Sequence, residues 1–357
     1  MDNSFFLRSK GNKPIEIEKF QICSWEFSNK NSLVEFGVEI KAKSILGLEE
    51  IALDLYIPWL KKDCEIKDFY DKLKDSGNSR FIFNDSVSNT ISFDGGQNSL
   101  GVIHEFSGKD RLCILPVQIK NDTNNQKIKL AVNLDNYKKH TDQNTNIYIR
   151  IGVEANKTTI STKKKGIGKS TIIYDIKLNE SRNIPIQLIQ EFTNSAPCKI
   201  DTCFCFHIIP NSYDITFLES EHLKNVRTLE FKPFFNNYLE DSRLKEDELI
   251  VVFSKKKKED SYTFFSIYTK ELIGVSQFAI AILINIICSF LFALPTIRKQ
   301  IPEDSSFASI IQTSPVEYSI ALLLFLLMLF YFLFPTKFSV VSNLWLWIIS
   351  SFSKNKK

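Results

Sequence analysis

Two long runs without a charged residue lie near the end of the chain, and they constrain its fold more than any other feature. The first, LIGVSQFAIAILINIICSFLFALPTI, covers 272–297, and the second, YSIALLLFLLMLFYFLFPT, covers 318–336 between Glu317 and Lys337. A helix rises about 1.5 Å per residue, so about 20 apolar residues cross a hydrocarbon core of about 30 Å. Both runs approach or exceed that length. Pro295 and Pro335 fall near their ends, where a proline stops a helix without breaking its middle. The pattern predicts a C-terminal α-helical transmembrane hairpin inside a membrane region covering 271–357.

Basic residues near the spans set the expected orientation. The connector 298–317 carries Arg298 and Lys299, whereas Lys270, Lys337, Lys354, Lys356 and Lys357 flank the opposite side. Lysine and arginine are retained on the cytoplasmic face. The chain therefore reads as a multi-pass protein of the cell inner membrane, with its N-terminal domain and C-terminus cytoplasmic. The opening MDNSFFLRSKGNKP has no apolar stretch of signal-peptide length, which agrees. The segment 338–352, FSVVSNLWLWIISSF, is short for a crossing and gathers its serines near one helical face. It is expected to lie in the interface, with Trp345 and Trp347 as anchors at headgroup depth. A third crossing there is the alternative, and it would move the C-terminus outside.

The two spans differ in composition. Gln277, Ala281, Asn285, Ser289 and Ala293 recur every four residues in the first, whereas the second is nearly all leucine and phenylalanine. Small residues let helices approach closely, and an amide in hydrocarbon needs a partner. These five residues are the expected helix-packing positions, so the first span should face protein, in a homo-oligomer, and the second should face lipid. The competing reading has Asn285 bonding within its own hairpin.

Residues 1–270 read as serial short strands, among them IEIEKFQI, SLVEFGVEIKA, RFIF, NIYIRIGVE, STIIYDI, DTCFCFHII and ELIVVF, separated by turn-rich intervals such as DGGQN. The predicted class is an all-β soluble part of sandwich or barrel type, with two modules dividing near residue 140 as one option. Only IKDFYDKLKDSG, 66–77, reads as helical. The last strand, 262–268, reaches the first span through Thr269, Lys270 and Glu271 alone. So short a connector can pass a movement of the β-domain to the helix.

Of 357 residues, 44% are hydrophobic and 24% charged, as in folded proteins, and 45 basic against 41 acidic residues is too even to indicate a nucleic-acid partner. The lysine clusters 163–165 and 255–258 lack interleaved aromatics and read as solvated turns, so no nucleic acid is expected. Seven cysteines, an odd and scattered number, fit a reducing compartment better than a disulfide framework.

Sequence motifs for catalysis are weak. KKKGIGKSTII, 163–173, carries Gly168, Lys169 and Ser170 of a phosphate-binding loop, but Lys163 stands at the first glycine position, and a β-branched run follows instead of a helix. A hairpin tip is the expected structure. In DTCFCFHIIP, alternation sends Cys203, Cys205 and His207 to one face of a strand, where core packing is expected rather than a metal. His104 and Glu105 fall on opposite faces. No catalytic, cofactor-binding or metal-ligating residue is assigned, and no cofactor is expected.

The expectation is a non-enzymatic, membrane-anchored effector or receptor. Its cytosolic β-domain would recognise an unknown protein or small-molecule ligand and relay that state to an oligomerising hairpin in the lipid bilayer. This arrangement resembles that of bacterial defence effectors, which join a sensing domain to membrane helices; the resemblance implies disruption of the bilayer on triggering, as in antiviral defence. A membrane-displayed scaffold or assembly subunit is the alternative, and a membrane-bound enzyme acting on a nucleotide or lipid is the third class.

Overall fold

A computed structural model describes residues 4–11, 13–27, 32–93, 100–154, 160–166, 168–219, 221–229, 237–241, 249–257, 259–298 and 314–333. The chain divides into two units: residues up to Lys163 together with Ile172–Tyr268, and Lys164–Thr171 together with the chain from Thr269 onward.

The larger unit is built from two mixed β-sheets, as the all-β pattern predicts, in a sandwich arrangement. The nine-stranded sheet holds β1 (Ser4–Lys10), β4 (Glu50–Tyr56), β9 (Gln118–Asp122), β10 (Lys127–Asn133), β12 (Ser161–Lys165), β13 (Lys169–Leu178), β14 (Ser195–Pro197), β16 (Asp214–Leu218) and β19 (Tyr262–Glu271). The ten-stranded sheet holds β2 (Glu16–Trp25), β3 (Leu33–Ile40), β5 (Glu65–Asp68), β6 (Val87–Ser92), β7 (Val102–Phe106), β8 (Leu112–Ile114), β11 (Asn146–Glu154), β15 (Lys199–Pro210), β17 (Leu223–Thr228) and β18 (Leu249–Lys257). Its order is β17-β18-β15-β2-β3-β11-β8-β7-β6, with β5 also on β11. The β2–β15 and β8–β11 pairs are parallel, and the others in this sheet are antiparallel.

Alternation along the strands makes the core. Phe20 and Ile22 of β2, Phe36 and Val38 of β3, and Ile149 and Ile151 of β11 face Phe5, Leu7, Leu53, Leu130, Tyr174 and Ile176 of the other sheet, all buried. A second apolar cluster lies on the outer face of the ten-stranded sheet, where Cys23, Trp25, Leu33 and Tyr148 are covered by Phe69, Tyr70, Leu73 and Tyr238.

Local structure between 65 and 84 departs from expectation. Glu65–Asp68 is a strand, because its backbone pairs with Ile151–Glu154 of β11. Two short helices follow, Tyr70–Leu73 and Ser76–Phe83, so the segment RFIF is helical rather than extended. The cause is a cap: the Asp75 carboxylate accepts from the Asn78 N–H at 2.9 Å and starts the second helix inside what reads as a turn.

In the smaller unit, β12 and β13 meet at a tight hairpin tip, closed by a bond from the Gly166 N–H to the Lys169 carbonyl at 2.8 Å. The Leu272 N–H donates to the Gly168 carbonyl at 3.0 Å, tying that tip to the residues just before the helix Val275–Arg298. This helix packs on a second one, Ser314–Leu333. Ala281, Ile284, Cys288 and Leu291 are half-buried on the first, and Ala321 is buried on the second with Leu324 and Met328 half-buried. Side chains of the two helices are described over 278–293 and 319–328, and over these residues no helix is long and apolar enough to cross a membrane. The span residues 334–336, the segment 338–352 with Trp345 and Trp347, and the Gln277 side chain lie outside the described residues.

Candidate functional site

Strand register lays out the outer face of the ten-stranded sheet as rows of side chains. One row runs Asn225, Phe253, Phe206, Cys23, Glu35, Gly152 across β17, β18, β15, β2, β3 and β11. The next runs Lys255, Phe204, Gln21, Gly37, Arg150, and a third runs Lys257, Thr202, Lys19, Glu39, Tyr148. Residues of one row point to the same face. Members of all three rows, among them Phe206, Phe253, Gln21, Arg150 and Lys19, line an open cavity of about 1660 Å³, walled by Phe81–Ser86 and Phe106–Leu112 on one side and by β17 on the other.

At the β15–β18 end the floor is aromatic. The Phe206 and Phe253 rings are parallel within 5° at 4.7 Å, and Phe204 lies 5.5 Å from Phe253 at 29°. All three rings are half-buried and line the cavity. The Lys255 ammonium lies 5.1 Å from the centre of the Phe204 ring.

For 255–257 this placement corrects the reading of 255–258 as a solvated turn, and Lys258 lies outside the described residues. Lys255, Lys256 and Lys257 are the last residues of β18, held in the ladder by pairing with Phe204, Cys203 and Thr202. Strand alternation turns Lys255 into the groove beside aromatic rings.

At the β3–β11 end the floor is a closed polar network. Arg150 and Glu35 are buried, with the guanidinium Nη2 2.5 Å from Glu35 Oε2 and the Nε–H donating to the same oxygen at 2.6 Å. The Tyr238 hydroxyl donates to Oε2 at 2.8 Å, and the Trp25 indole N–H to Oε1 at 2.8 Å. Burial alone would pull the Arg150 guanidinium down; Glu35, Tyr148, Tyr238 and Cys23 around it together outweigh burial and hold the cation above the usual arginine range. The remaining Arg150 donor and the Tyr148 hydroxyl both bond Gln21 Oε1, at 2.9 and 2.8 Å. Gln21 lines the cavity with its oxygen so occupied, and its NH₂ donors are what a ligand there could bond.

The balance of charge around the cavity is basic. Eight arginine and lysine residues line it against four carboxylates. Arg150, Lys19 and Arg111 are paired with Glu35, Glu39 and Asp142. Arg80, Lys109, Lys224, Arg227 and Lys255 have no carboxylate within ion-pair distance among the described residues. Burial, and then the like charges of Lys257, Lys224 and Lys19, hold the Lys255 ammonium below the usual lysine range. Several cations thus converge on one end of the groove.

The residues singled out in the sequence lie elsewhere. Cys203 and Cys205 face the inner core, where burial pushes both thiols up. His207 shares that face, with its Nδ1 3.0 Å from the Ser24 hydroxyl and its Nε2 3.5 Å from Cys205 Sγ. Lys163 is an ion-pair partner of the buried Glu26 at 2.5 Å, and Gly168 leads directly into strand β13 rather than a helix. His104 is buried, donating from Nε2 to the Leu73 carbonyl at 2.8 Å, while Glu105 accepts from Asn89 across the β6–β7 pair at 3.1 Å. On the helix Val275–Arg298, Ala281 lies on the half-covered face, whereas Asn285, Ser289 and Ala293 are exposed. The aromatic floor had a sequence signal in Phe204 and Phe206, which alternate with the core cysteines and so must face outward. Comparison with known protein families and with curated proteins finds no match for this chain.

Proposed function

We propose that the chain is a non-enzymatic, membrane-anchored receptor or effector. Its β unit takes up a ligand in the groove on the ten-stranded sheet, and its two apolar helices form an oligomerising transmembrane hairpin that responds. The N-terminal unit and the C-terminus lie in the cytoplasm, and the bilayer is the inner membrane.

The observation that carries the reading is the surface of the helix pair. Phe278, Ile282, Ile286 and Phe290 are each about 60% exposed, as are Leu322 and Leu323 on the second helix. Water penalises such a surface at about 25 cal/mol per Å², and a monomer rarely leaves it open. Lipid covers it without penalty. The helices run 24 and 20 residues, and the uncharged runs 272–297 and 318–336 give them the length to cross. Asn285 sits on this same surface and has no hydrogen-bond partner among the described residues. Hydrocarbon supplies none, and in this reading the partner is on a second copy of the chain.

The test is extraction. Membranes from cells making the full chain are washed in alkaline carbonate and sedimented; the chain should stay in the pellet and leave it only with detergent. Recovery in the carbonate supernatant would sink the reading. The resemblance to bacterial defence effectors extends it to disruption of the bilayer, for which loss of membrane potential on expression with the trigger is the measurement.

A further inference from the structure

We propose that the groove is a site for a nucleotide-class ligand, one that joins a flat heteroaromatic ring to one or more phosphates. The proposal rests on the reading of this groove as the ligand site and names the chemistry of what it takes.

Two features of the floor must be satisfied together. A purely apolar ligand would cover Phe204, Phe206 and Phe253 and leave Lys224, Arg227 and Lys255 facing it unpaired. A bare anion would meet the cations and leave the ring stack in water. A nucleotide uses both, because its base extends the stack while its phosphate reaches the cations. The stack is already parallel, with Phe206 and Phe253 at 5°, so a further planar ring adds to it without rearrangement. Lys255, 5.1 Å from the Phe204 ring centre, lies within one sugar unit of where that base would lie.

A third group reads the edge of the base. Gln21 follows Phe204 in its row, lines the cavity, and has its oxygen held by Tyr148 and Arg150, which leaves its NH₂ donors for a ligand. A ring nitrogen or carbonyl of a base accepts such a bond. Asn225, in the row of Phe253, adds an amide at the opposite wall. The cavity, at about 1660 Å³, exceeds the roughly 300–1,000 Å³ of a site for one drug-sized molecule, which leaves room for more than one base.

The experiment is titration calorimetry on the full chain in detergent. The probes are AMP, GMP, a 5′-phosphorylated adenine dinucleotide, adenosine, inorganic phosphate and a short single strand of oligouridylate. At least one phosphorylated nucleotide should bind about tenfold or more tightly than adenosine and than inorganic phosphate. Lys255→Glu should weaken it about tenfold or more, and Phe206→Leu, which keeps an apolar side chain at the base of the stack, by about fivefold or more. Melting temperature checks that each variant is folded. Should Lys255→Glu fail to fold, Lys224→Glu on the exposed edge strand replaces it.

No preference for nucleotides over phosphate, or variants that are folded and bind unchanged, would overturn the proposal. Preference for oligouridylate over every short probe would overturn it in favour of a nucleic-acid strand. These results are separable from the membrane reading: a chain that binds no nucleotide yet resists carbonate extraction loses only the ligand class.

Discussion

Arg150 and Glu35 face each other across neighbouring strands at 2.5 Å, both buried, beneath a groove that is otherwise open to water. Among the described residues, Trp25 and Tyr238 donate to Glu35, and Gln21 and Tyr148 accept from Arg150. Such a floor is stiff, and a binding surface built on it is held in one arrangement.

Removing either partner leaves the other charge buried and alone. Arg150→Met or Glu35→Gln is expected to destabilise the β unit by about 3–5 kcal/mol, far more than loss of a surface ion pair. The double replacement Arg150→Met with Glu35→Leu should recover part of that loss, because no charge remains to be desolvated. Chemical denaturation of the three variants checks both statements; single variants as stable as the parent would show that the network contributes little.

Gly37 lies between Gln21 and Arg150 in its row, and a Cβ there would stand 2.2 Å from the Tyr148 hydroxyl and 2.8 Å from Gln21 Oε1. Neither neighbour is free to give way, since each is bonded to Arg150. Gly37→Ala should therefore break the network although alanine is only one carbon larger. The expected outcome is a loss of about 1–3 kcal/mol, together with weaker ligand binding in the groove. Alanine at Gly47, where nothing lies within 4 Å of a Cβ but φ is +80°, is the comparison for backbone strain without crowding.

His207 gives the fold an acid limit. Burial holds its imidazole down to about 3, against an ordinary 6.5. Below about pH 6.5 the unfolded chain takes up a proton at this residue and the folded chain does not, so stability falls as pH falls, down to the folded value near 3. The slope from one such group is at most about 1.4 kcal/mol per pH unit. His104, also held down by burial, adds in the same direction. Asp68 acts in the opposite one, since burial raises it to about 6 and stability declines as pH rises from about 4 to 6. Comparison of the parent with His207→Gln isolates one group: the variant's stability should fall less steeply between pH 6 and 4. Equal slopes would mean that His207 is reached by water.

Legibility in the sequence followed the range of the interactions involved. The apolar runs near the end needed only composition, and the inward set Cys203 and Cys205 needed only alternation. The groove needed register between strands far apart in the chain, since Phe253, Phe206 and Glu35 share a row only after β18, β15, β2 and β3 have paired. Lysines disguised only the end of β18: ELIVVF reads as a strand and the lysine run after Ser254 looks like a turn, yet the ladder to β15 carries the strand on through Lys257 and overrides a poor strand propensity. The segment 80–83 failed for the reverse reason, because an Asp75 cap several residues earlier commits RFIF to a helix.

Asn285 separates a hairpin that works alone from one that works in numbers. Its amide lies on the exposed surface of the helix Val275–Arg298, while the contact face toward the second helix is made by Ala281, Ile284, Cys288 and Leu291. The bond that this amide needs in hydrocarbon is therefore expected between chains, with Ser289 one turn further along the same ridge. Interhelical polar bonds in membranes contribute about 0.6–2 kcal/mol each. Asn285→Leu should accordingly weaken self-association about 3- to 30-fold per contact and leave the β unit's melting and ligand binding unchanged. Native mass spectrometry of the detergent-extracted chain reads the distribution of copies directly. A shift toward the single chain supports the interchain bond, and Asn285→Gln should restore part of it because the longer amide still reaches across. An unchanged distribution in Asn285→Leu would assign the residue to its own chain and leave the association, if any, to the apolar faces.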